Sequence, residues 1–169
     1  MPKLNTRYNP AMRRPPIPAP PHRGGCLCGA VRYSYDAAPL ATVACHCHDC
    51  QKLSGASNLL TIYADRAAFR HEQGELARYR KRADSGREAD YVRCAGCGTR
   101  VWHEPQNAPQ YIFIAAGSLD DPSWVVPAAH IWTSRAAPSA HIPDGVYARE
   151  QGPADRAELI AAFKAVYGQ

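Results

Sequence analysis

The amino-acid sequence predicts a mainly β domain with one helix near its carboxyl end. Short apolar segments rich in β-branched and aromatic residues alternate with Gly, Pro and Asp, a pattern typical of short strands and turns. One segment near the end of the chain repeats apolar residues at helical spacing. The chain has 169 residues, which is enough for one domain with a substantial apolar core.

Eight segments have the composition of short strands. In "AVRYSY" (30–35) large side chains alternate at period two, whereas "NLLTIYA" (58–64) and "QYIFIAA" (110–116) are rich in β-branched and aromatic residues. The other five are "ATVAC" (41–45), "LARYRK" (76–81), "ADYVRC" (89–94), "TRVWH" (99–103) and "AHIWTS" (129–134). We expect these strands to pair mainly antiparallel, because turn residues separate most of them.

The helix is predicted over residues 153–167, in "PADRAELIAAFKAVY". Asp155 and Glu158 stand in capping-box positions, and Gly168 is suited to end the helix. The apolar residues at helical spacing are Leu159, Ile160, Phe163, Val166 and Tyr167. We expect this apolar face to dock against the sheet.

Residues 1–23 are predicted to form an extended arm, and residues 24–169 the single domain. The arm contains seven of the 15 prolines and five basic residues without an acidic one. Proline lacks the amide donor of a helix or central strand, so a polyproline-type conformation is expected. A solvated tail is the main interpretation of the arm, with a docking peptide or a transit segment as alternatives.

The charge and apolar patterns restrict the partners and the compartment. Outside the arm, 15 basic and 15 acidic residues balance, so the domain has no basic excess that would hold a nucleic acid. The sequence shows no spanning segment and no apolar secretory signal, which predicts a soluble, cytoplasmic protein without a membrane partner. Thiols stay reduced in such a compartment, so clustered cysteines are expected to bind metal or to react.

All seven cysteines fall into three short clusters: Cys26 and Cys28; Cys45, Cys47 and Cys50; Cys94 and Cys97. An odd number cannot pair completely within one chain, and a bridge between Cys26 and Cys28 would close a strained small ring. Zinc fits the spacing better than disulfides do. The C-x₂-C turn "CAGC" and the alternate cysteines of "CLC" together offer four thiolates, which is the ligand set of a closed structural zinc site.

The remaining three cysteines, Cys45, Cys47 and Cys50, leave one tetrahedral zinc position open. An open position is the arrangement of catalytic zinc, because water, substrate or a further side chain can occupy it. His46 or His48 are candidate fourth ligands, although alternation along the chain places His46 on the opposite side from its cysteine neighbours. The sequence therefore predicts a second zinc site that carries the function.

Taken together, the motifs resemble the glutathione-dependent formaldehyde-activating enzyme family, whose domain also occurs in centromere protein V. The resemblance covers roughly residues 24–145. It rests on "GGCLCGAVRY" (24–33), "CHCHDCQKLSG" (45–55), "CAGCGT" (94–99), "GSLDDP" (117–122) and "HIWTSRAAP" (130–138). Two positions depart from the family pattern: Arg93 replaces an aromatic residue, and Ser139 replaces a tryptophan, which affects the expected pocket wall more than the metal sites.

The resemblance implies a β-tent fold of small antiparallel sheets with two zinc ions. By position it assigns Cys26, Cys28, Cys94 and Cys97 to the structural zinc and Cys45, Cys47 and Cys50 to the catalytic zinc. It also implies a carbon–sulfur lyase that joins glutathione, as cosubstrate, and formaldehyde into S-hydroxymethylglutathione. The partners would then be a small thiol and a small aldehyde.

Several residues are candidates for the rest of the chemistry. Lys52 is a candidate for binding a substrate carboxylate, with a solvated lysine as the alternative. The candidate proton-transfer groups are His46, His48, His103, His130 and His141. Trp102, Trp124 and Trp132 are expected in the core or in a pocket wall. The basic run 78–87 is expected on a solvated hairpin, with attraction of an anionic substrate as the alternative.

A second function class remains open at this point. A zinc-stabilised module that binds protein or nucleic acid through the basic arm would use the same cysteines without catalysis. Centromere protein V favours this alternative, and the neutral charge of the domain body disfavours nucleic acid as the partner.

Overall fold

The computed structural model describes residues 14–83 and 86–168 and is mainly β within them. Its strands are β1 (His22–Gly25), β2 (Arg32–Tyr35), β3 (Ala41–Cys45), β4 (Leu59–Asp65), β5 (Phe69–Gln73), β6 (Leu76–Arg82), β7 (Glu88–Cys94), β8 (Arg100–Pro105), β9 (Tyr111–Ala115), β10 (Ala129–Ile131) and β11 (Tyr147–Arg149). The helices are α1 (His48–Ser54) and α2 (Arg156–Tyr167), with single 3₁₀ turns at Arg66–Ala68, Ala116–Ser118 and Thr133–Arg135. The predicted mainly β fold with a carboxyl-terminal helix is confirmed.

Two sheets carry the described strands. One has three strands in the order β1-β2-β5, and the other has eight in the order β11-β10-β3-β4-β9-β8-β7-β6. Most pairs are antiparallel as predicted, but β10 runs parallel to both of its neighbours, β3 and β11. The carboxyl ends of β3, β10 and β11 therefore meet at one edge of the large sheet, which brings together segments that are far apart in sequence.

All eight predicted strands are present, and three further strands were not predicted. In β5 only Phe69 is buried, β11 has three residues, and β1 is a His-Arg-Gly-Gly segment without apolar alternation. Each of these strands forms by backbone pairing with a neighbour whose own sequence predicts a strand. Strand β1, for example, pairs antiparallel with β2. Local propensity does not report such pairings.

The core has two parts. In one, the aromatic side chains of Tyr33, Phe69 and Trp102 pack against each other between the sheets, with ring centroids 4.9 to 5.8 Å apart. In the other, α2 covers the large sheet, and its Leu159 and Phe163 are buried. The docking of the predicted apolar helix face is thus observed.

Helix α2 begins at Arg156, three residues later than predicted. Asp155 has an extended backbone, and its carboxylate accepts a hydrogen bond from the N–H of Ala157 at 2.9 Å, so the helix cannot include it. Gly168 ends the helix in the left-handed conformation, as expected. Val166 is 37% exposed and therefore lies outside the docking face.

The described part of the predicted arm contacts the domain. Arg14 donates a hydrogen bond to the carbonyl of Pro127 at 3.0 Å, and Ile17 packs against both parts of the core. Strand β1 begins at His22, two residues before the predicted boundary. Arg14 and Ile17 therefore contact the domain, residues 18–21 are exposed, and residues 1–13 lie outside the described residues.

In the described ranges, 14–83 and 86–168, no helix is both long and apolar enough to span a bilayer.

Candidate metal centres and active-site cavity

The four-cysteine cluster consists of Cys26, Cys28, Cys94 and Cys97, as predicted from spacing. The first pair lies in the turn between β1 and β2; of the second pair, Cys94 ends β7 and Cys97 lies in the turn before β8. All four sulfur atoms lie within 4.8 Å of one another. The separation is 3.4 Å between the sulfur atoms of Cys26 and Cys28 and 3.8 Å between those of Cys28 and Cys94.

These distances fit a tetrahedral zinc ion. Zinc–thiolate bonds of about 2.3 Å place the sulfur atoms of a tetrahedral site about 3.8 Å apart. Hydrogen bonds to the sulfur atoms support the thiolate form: the N–H of Val31 donates to Cys26 Sγ at 3.2 Å. The hydroxyl of Thr99, 3.1 Å from Cys97 Sγ, lowers the pKa of Cys97 to about 5. The residues present therefore suit a closed structural site.

The three-cysteine cluster consists of Cys45, Cys47 and Cys50. Cys45 ends β3, Cys47 is the N-cap of α1, and Cys50 lies in the first turn of that helix. The sulfur atoms of Cys45 and Cys47 are 3.5 Å apart, and all three lie within 4.8 Å of one another. Within residues 14–83 and 86–168 no His, Cys, Asp or Glu completes this group as a fourth member. These sulfur atoms suit zinc with one position left for another ligand.

Helix α1 was not predicted, and it determines the shape of this cluster. The N–H of Cys50 donates to Cys47 Sγ at 3.5 Å, and Gly55 ends the helix in the left-handed conformation. The side-chain amide of Gln51 donates to the carbonyls of His46 at 2.7 Å and Arg135 at 2.8 Å. Gln51 thereby links the cysteine loop to the segment that follows β10.

The three thiols influence each other strongly. Cys47 accepts hydrogen bonds from Cys45 and Cys50, which lowers its pKa. The same contacts raise the pKa of Cys45, beside Cys47, and of Cys50, beside Cys45. A metal ion that takes all three as thiolates must therefore displace the protons of Cys45 and Cys50.

A cavity of about 530 Å³ opens beside Cys45 and Cys50. A row of cross-strand neighbours forms one wall, because Tyr91, His103, Phe113 and Tyr63 lie directly opposite each other on β7, β8, β9 and β4. The described lining residues that carry a charge are Arg87, Glu88, Arg135 and Arg156. The cavity thus combines cysteine sulfur atoms with an arginine-rich lining of Arg87, Arg135 and Arg156, which we call the rim.

One residue of the cavity wall, Trp132, has an unusual backbone conformation. Trp132 lines the cavity with a φ of +59°, a left-handed conformation that costs a bulky residue about 1–3 kcal/mol. The guanidinium of Arg135 lies over its indole, 4.9 Å from the ring centroid. A Cβ at Gly152 would lie only 3.3 Å from the indole nitrogen, so glycine permits this close approach. Local strain of this kind is concentrated at functional sites.

The candidate histidines separate clearly by position. His103 is buried and lines the cavity, where its Nε2 accepts a hydrogen bond from Arg100 at 2.8 Å. His46 and His130 are buried together, with 3.0 Å between His46 Nε2 and His130 Nδ1, and burial lowers the pKa of both. His48 and His141 are exposed. Among the five candidates, only His103 therefore faces the cavity in the described part of the chain.

Other predicted site residues are placed as follows. Lys52 is exposed in the last turn of α1 and is not among the lining residues, so its role in substrate binding stays a prediction without structural support. Trp132 is in the cavity wall, whereas Trp102 and Trp124 are core residues. Arg87 of the basic run faces the cavity. Sequence reasoning missed Arg135 and Arg156, because neither the motif "HIWTSRAAP", which contains Arg135, nor the helix pattern around Arg156 indicates a role for an arginine.

The chain was also compared with known proteins. Among curated proteins, no relative of the chain was found. Among solved structures, a crystal structure of a Rhodobacter sphaeroides protein from Northeast Structural Genomics is similar, with 20% sequence identity, a TM-score of 0.48, and coverage of 58% of this chain and 87% of that chain.

A family match covers more of the chain. Residues 21–135 match the family described as "Glutathione-dependent formaldehyde-activating enzyme". The match includes all seven cysteines, His103, Trp132 and Arg135, and ends before β11 and α2. It spans more than half of the chain, so the protein belongs to the glutathione-dependent formaldehyde-activating enzyme family.

Proposed function

We propose that this protein is a zinc-dependent carbon–sulfur lyase resembling S-(hydroxymethyl)glutathione synthase. It would join a thiol such as glutathione with formaldehyde or another small aldehyde, reversibly. The observation that carries the proposal is the three-cysteine cluster, which stops one ligand short and faces a cavity with an arginine-rich rim. Membership of the family supports the same reaction type.

The three-cysteine cluster would hold the catalytic zinc and the four-cysteine cluster the structural zinc. When bound by Cys45, Cys47 and Cys50, zinc would favour the ionised form of a thiol at its remaining position, since a metal lowers thiol pKa values. In this reaction a bond forms between sulfur and the carbonyl carbon, and the π electrons of the carbonyl move to oxygen. The thiol loses one proton and the oxygen gains one, so the reaction is balanced.

The cavity residues would select and orient the thiol. Glutathione carries two carboxylates, and the guanidinium groups of Arg87, Arg135 and Arg156 line the same cavity as the cysteine sulfur atoms. Arg156 is oriented by a hydrogen bond to the side chain of Asn107 at 3.2 Å. A volume of about 530 Å³ is in the usual range for small-molecule sites. Guanidinium groups bind carboxylates with directional hydrogen bonds, which favours a thiol substrate that carries carboxylate groups.

The test combines a metal count with kinetics. Full-length protein should contain two zinc ions per chain and should accelerate the exchange between formaldehyde and its glutathione adduct, measured by NMR. Cys47→Ala should lower the zinc content to about one per chain and abolish the acceleration, because the remaining four-cysteine cluster keeps its own ion and the fold. A two-zinc protein that neither binds glutathione nor changes the exchange rate would disprove the proposal.

The binding-module alternative is tested by a deletion that stops before Arg14. Residues 14–23 contact the domain and lead into β1, so their removal would disturb the fold. Deleting residues 2–13 instead removes three basic residues, Lys3, Arg7 and Arg13, and leaves these contacts. An enzyme should keep its turnover after this deletion, whereas a module that binds through the arm should lose its partner.

A further inference from the structure

His103 has a defined proton position. Its Nε2 lies 2.8 Å from Nη1 of Arg100. An arginine guanidinium donates hydrogen bonds and cannot accept them, so Nε2 must be the acceptor. A neutral imidazole that accepts at Nε2 carries its proton at Nδ1. Burial, followed by the positive charge of Arg100, lowers the pKa of His103 well below its usual value, which agrees with a neutral ring.

The ring is also held in place. His103 lies between its cross-strand neighbours Tyr91 and Phe113, with ring centroids 5.1 and 5.9 Å away. The side chain is 93% buried, since its residue exposure is 7%. It cannot turn to another partner without disturbing this row, so the direction of its Nδ1–H is fixed by packing.

The Nδ1–H group is available to a ligand. In residues 14–83 and 86–168 the hydrogen bond to Arg100 is the one that His103 makes within the protein. In the same ranges, the fully buried side-chain nitrogen atoms that lack a hydrogen-bond partner belong to His22, His46 and His130. Nδ1 of His103 is not one of these atoms, so it is not fully shielded from solvent. His103 lines the cavity that also exposes Cys45 and Cys50, so a ligand in this cavity can approach the imidazole.

We propose that the Nδ1–H of His103 binds the aldehyde oxygen of the substrate and stabilises the negative charge that develops there. The inference rests on the proposed function and extends it to a residue in the aldehyde subsite. When the carbon–sulfur bond forms, the π electrons of the carbonyl pass to oxygen. His103 keeps its own proton, and the oxygen takes a proton from water, which balances the one lost by the thiol. Arg100 is a positioning residue that holds the imidazole in the donor tautomer.

The fixed imidazole of His103 and its cationic partner Arg100 suit the stabilisation of negative charge on the aldehyde oxygen. A donor that is already oriented needs no reorganisation when charge appears, and a buried position strengthens its effect. The cationic partner at Nε2 polarises the imidazole and makes Nδ1–H a stronger donor. No ion pair among the described residues neutralises Arg100, so its charge acts on the ring.

Kinetics on variants test the role. His103→Leu should lower kcat for adduct formation about 100-fold to 1,000-fold, the usual effect of removing one oriented donor. The KM for glutathione and a content of two zinc ions should stay unchanged. His103→Gln, which can still accept from Arg100 and donate into the cavity, should recover part of the rate. A twofold or smaller change in His103→Leu would overturn the proposal.

A spectroscopic measurement separates this inference from the function itself. Two-bond ¹⁵N–¹H correlations should show the His103 proton on Nδ1, and Arg100→Met should move it at least partly to Nε2. Formamide, an unreactive carbonyl compound, should shift the Nδ1–H resonance. If the protein has no lyase activity but formamide gives this shift, the proposed function fails and the carbonyl site stands. If it is an active lyase with the proton on Nε2 or without the shift, the inference fails.

Discussion

The two cysteine clusters use the same ligand chemistry in different surroundings. In the four-cysteine cluster, Cys28 and Cys97 are exposed, and the sulfur atoms complete a tetrahedron by themselves. In the three-cysteine cluster, the sulfur atoms lie at the edge where β3, β10 and β11 end, and two of the cysteines face a cavity that arginines also line. Ligand number together with access separates a site that stabilises the fold from one that suits chemistry.

The largest effect is expected from breaking the four-cysteine cluster. Cys94 ends β7 and is 2% exposed, so Cys94→Ala removes a ligand from a buried position that connects β7 and β8 to the turn after β1. The melting temperature should fall by about 10 °C or more, which corresponds to about 3–5 kcal/mol for a domain of this size. Calorimetry with Cys47→Ala as the matched control measures this difference. A stable Cys94→Ala variant beside an unfolded Cys47→Ala variant would reverse the two assignments.

A second difference is expected in acid. In the three-cysteine cluster the pKa of Cys47 is lowered but those of Cys45 and Cys50 are raised, so two of three thiols take up protons at a higher pH than an ordinary thiol does. In the four-cysteine cluster the pKa of Cys28 is raised, whereas those of Cys26 and Cys97 are lowered, and four thiols are available to the ion. As the pH falls, zinc should therefore leave the three-cysteine cluster first.

Zinc release into a chromogenic chelator during acid titration measures the order of loss. Wild-type protein should release its two ions in separate steps, and Cys47→Ala should show the lower-pH step alone. If Cys47→Ala retained the higher-pH step, the first ion to leave would come from the four-cysteine cluster, contrary to expectation.

The smallest effect is expected from the rim of the cavity. Arg156→Met should raise the KM for glutathione about 10-fold, because it removes a charged hydrogen-bond donor for a carboxylate. It should leave the KM for cysteamine, a thiol without a carboxylate, unchanged. Arg156→Lys should lie between the two, since it keeps the charge and loses the planar fork.

Arg70→Met serves as the control for this prediction. Arg70 is exposed on β5 of the other sheet and does not line the cavity. Equal KM changes for glutathione and cysteamine in Arg156→Met would show that the rim does not select for carboxylates.

Much of the fold could be predicted because its signals are local. Alternation in "AVRYSY" and the apolar spacing of α2 report which side of an element is buried, and Asp155 and Gly168 act on their own helix ends. The cysteine spacings are also local, since two ligands in a C-x₂-C turn reach one ion without help from the rest of the chain. Strand β1, in contrast, forms through its partner β2, and its own residues do not indicate it.

The sequence by itself determined the mainly β character and the division of the seven cysteines into sets of four and three. Only the tertiary structure decided what faces the set of three. The parallel pairing of β10 with β3 brings the segment that contains Trp132 and Arg135 beside the cysteine loop. The cross-strand register places His103 in the cavity wall, while His46 turns into the core. The physical reason is range: ligand spacing acts over a few residues, whereas a cavity is formed by segments that only backbone pairing and packing bring together.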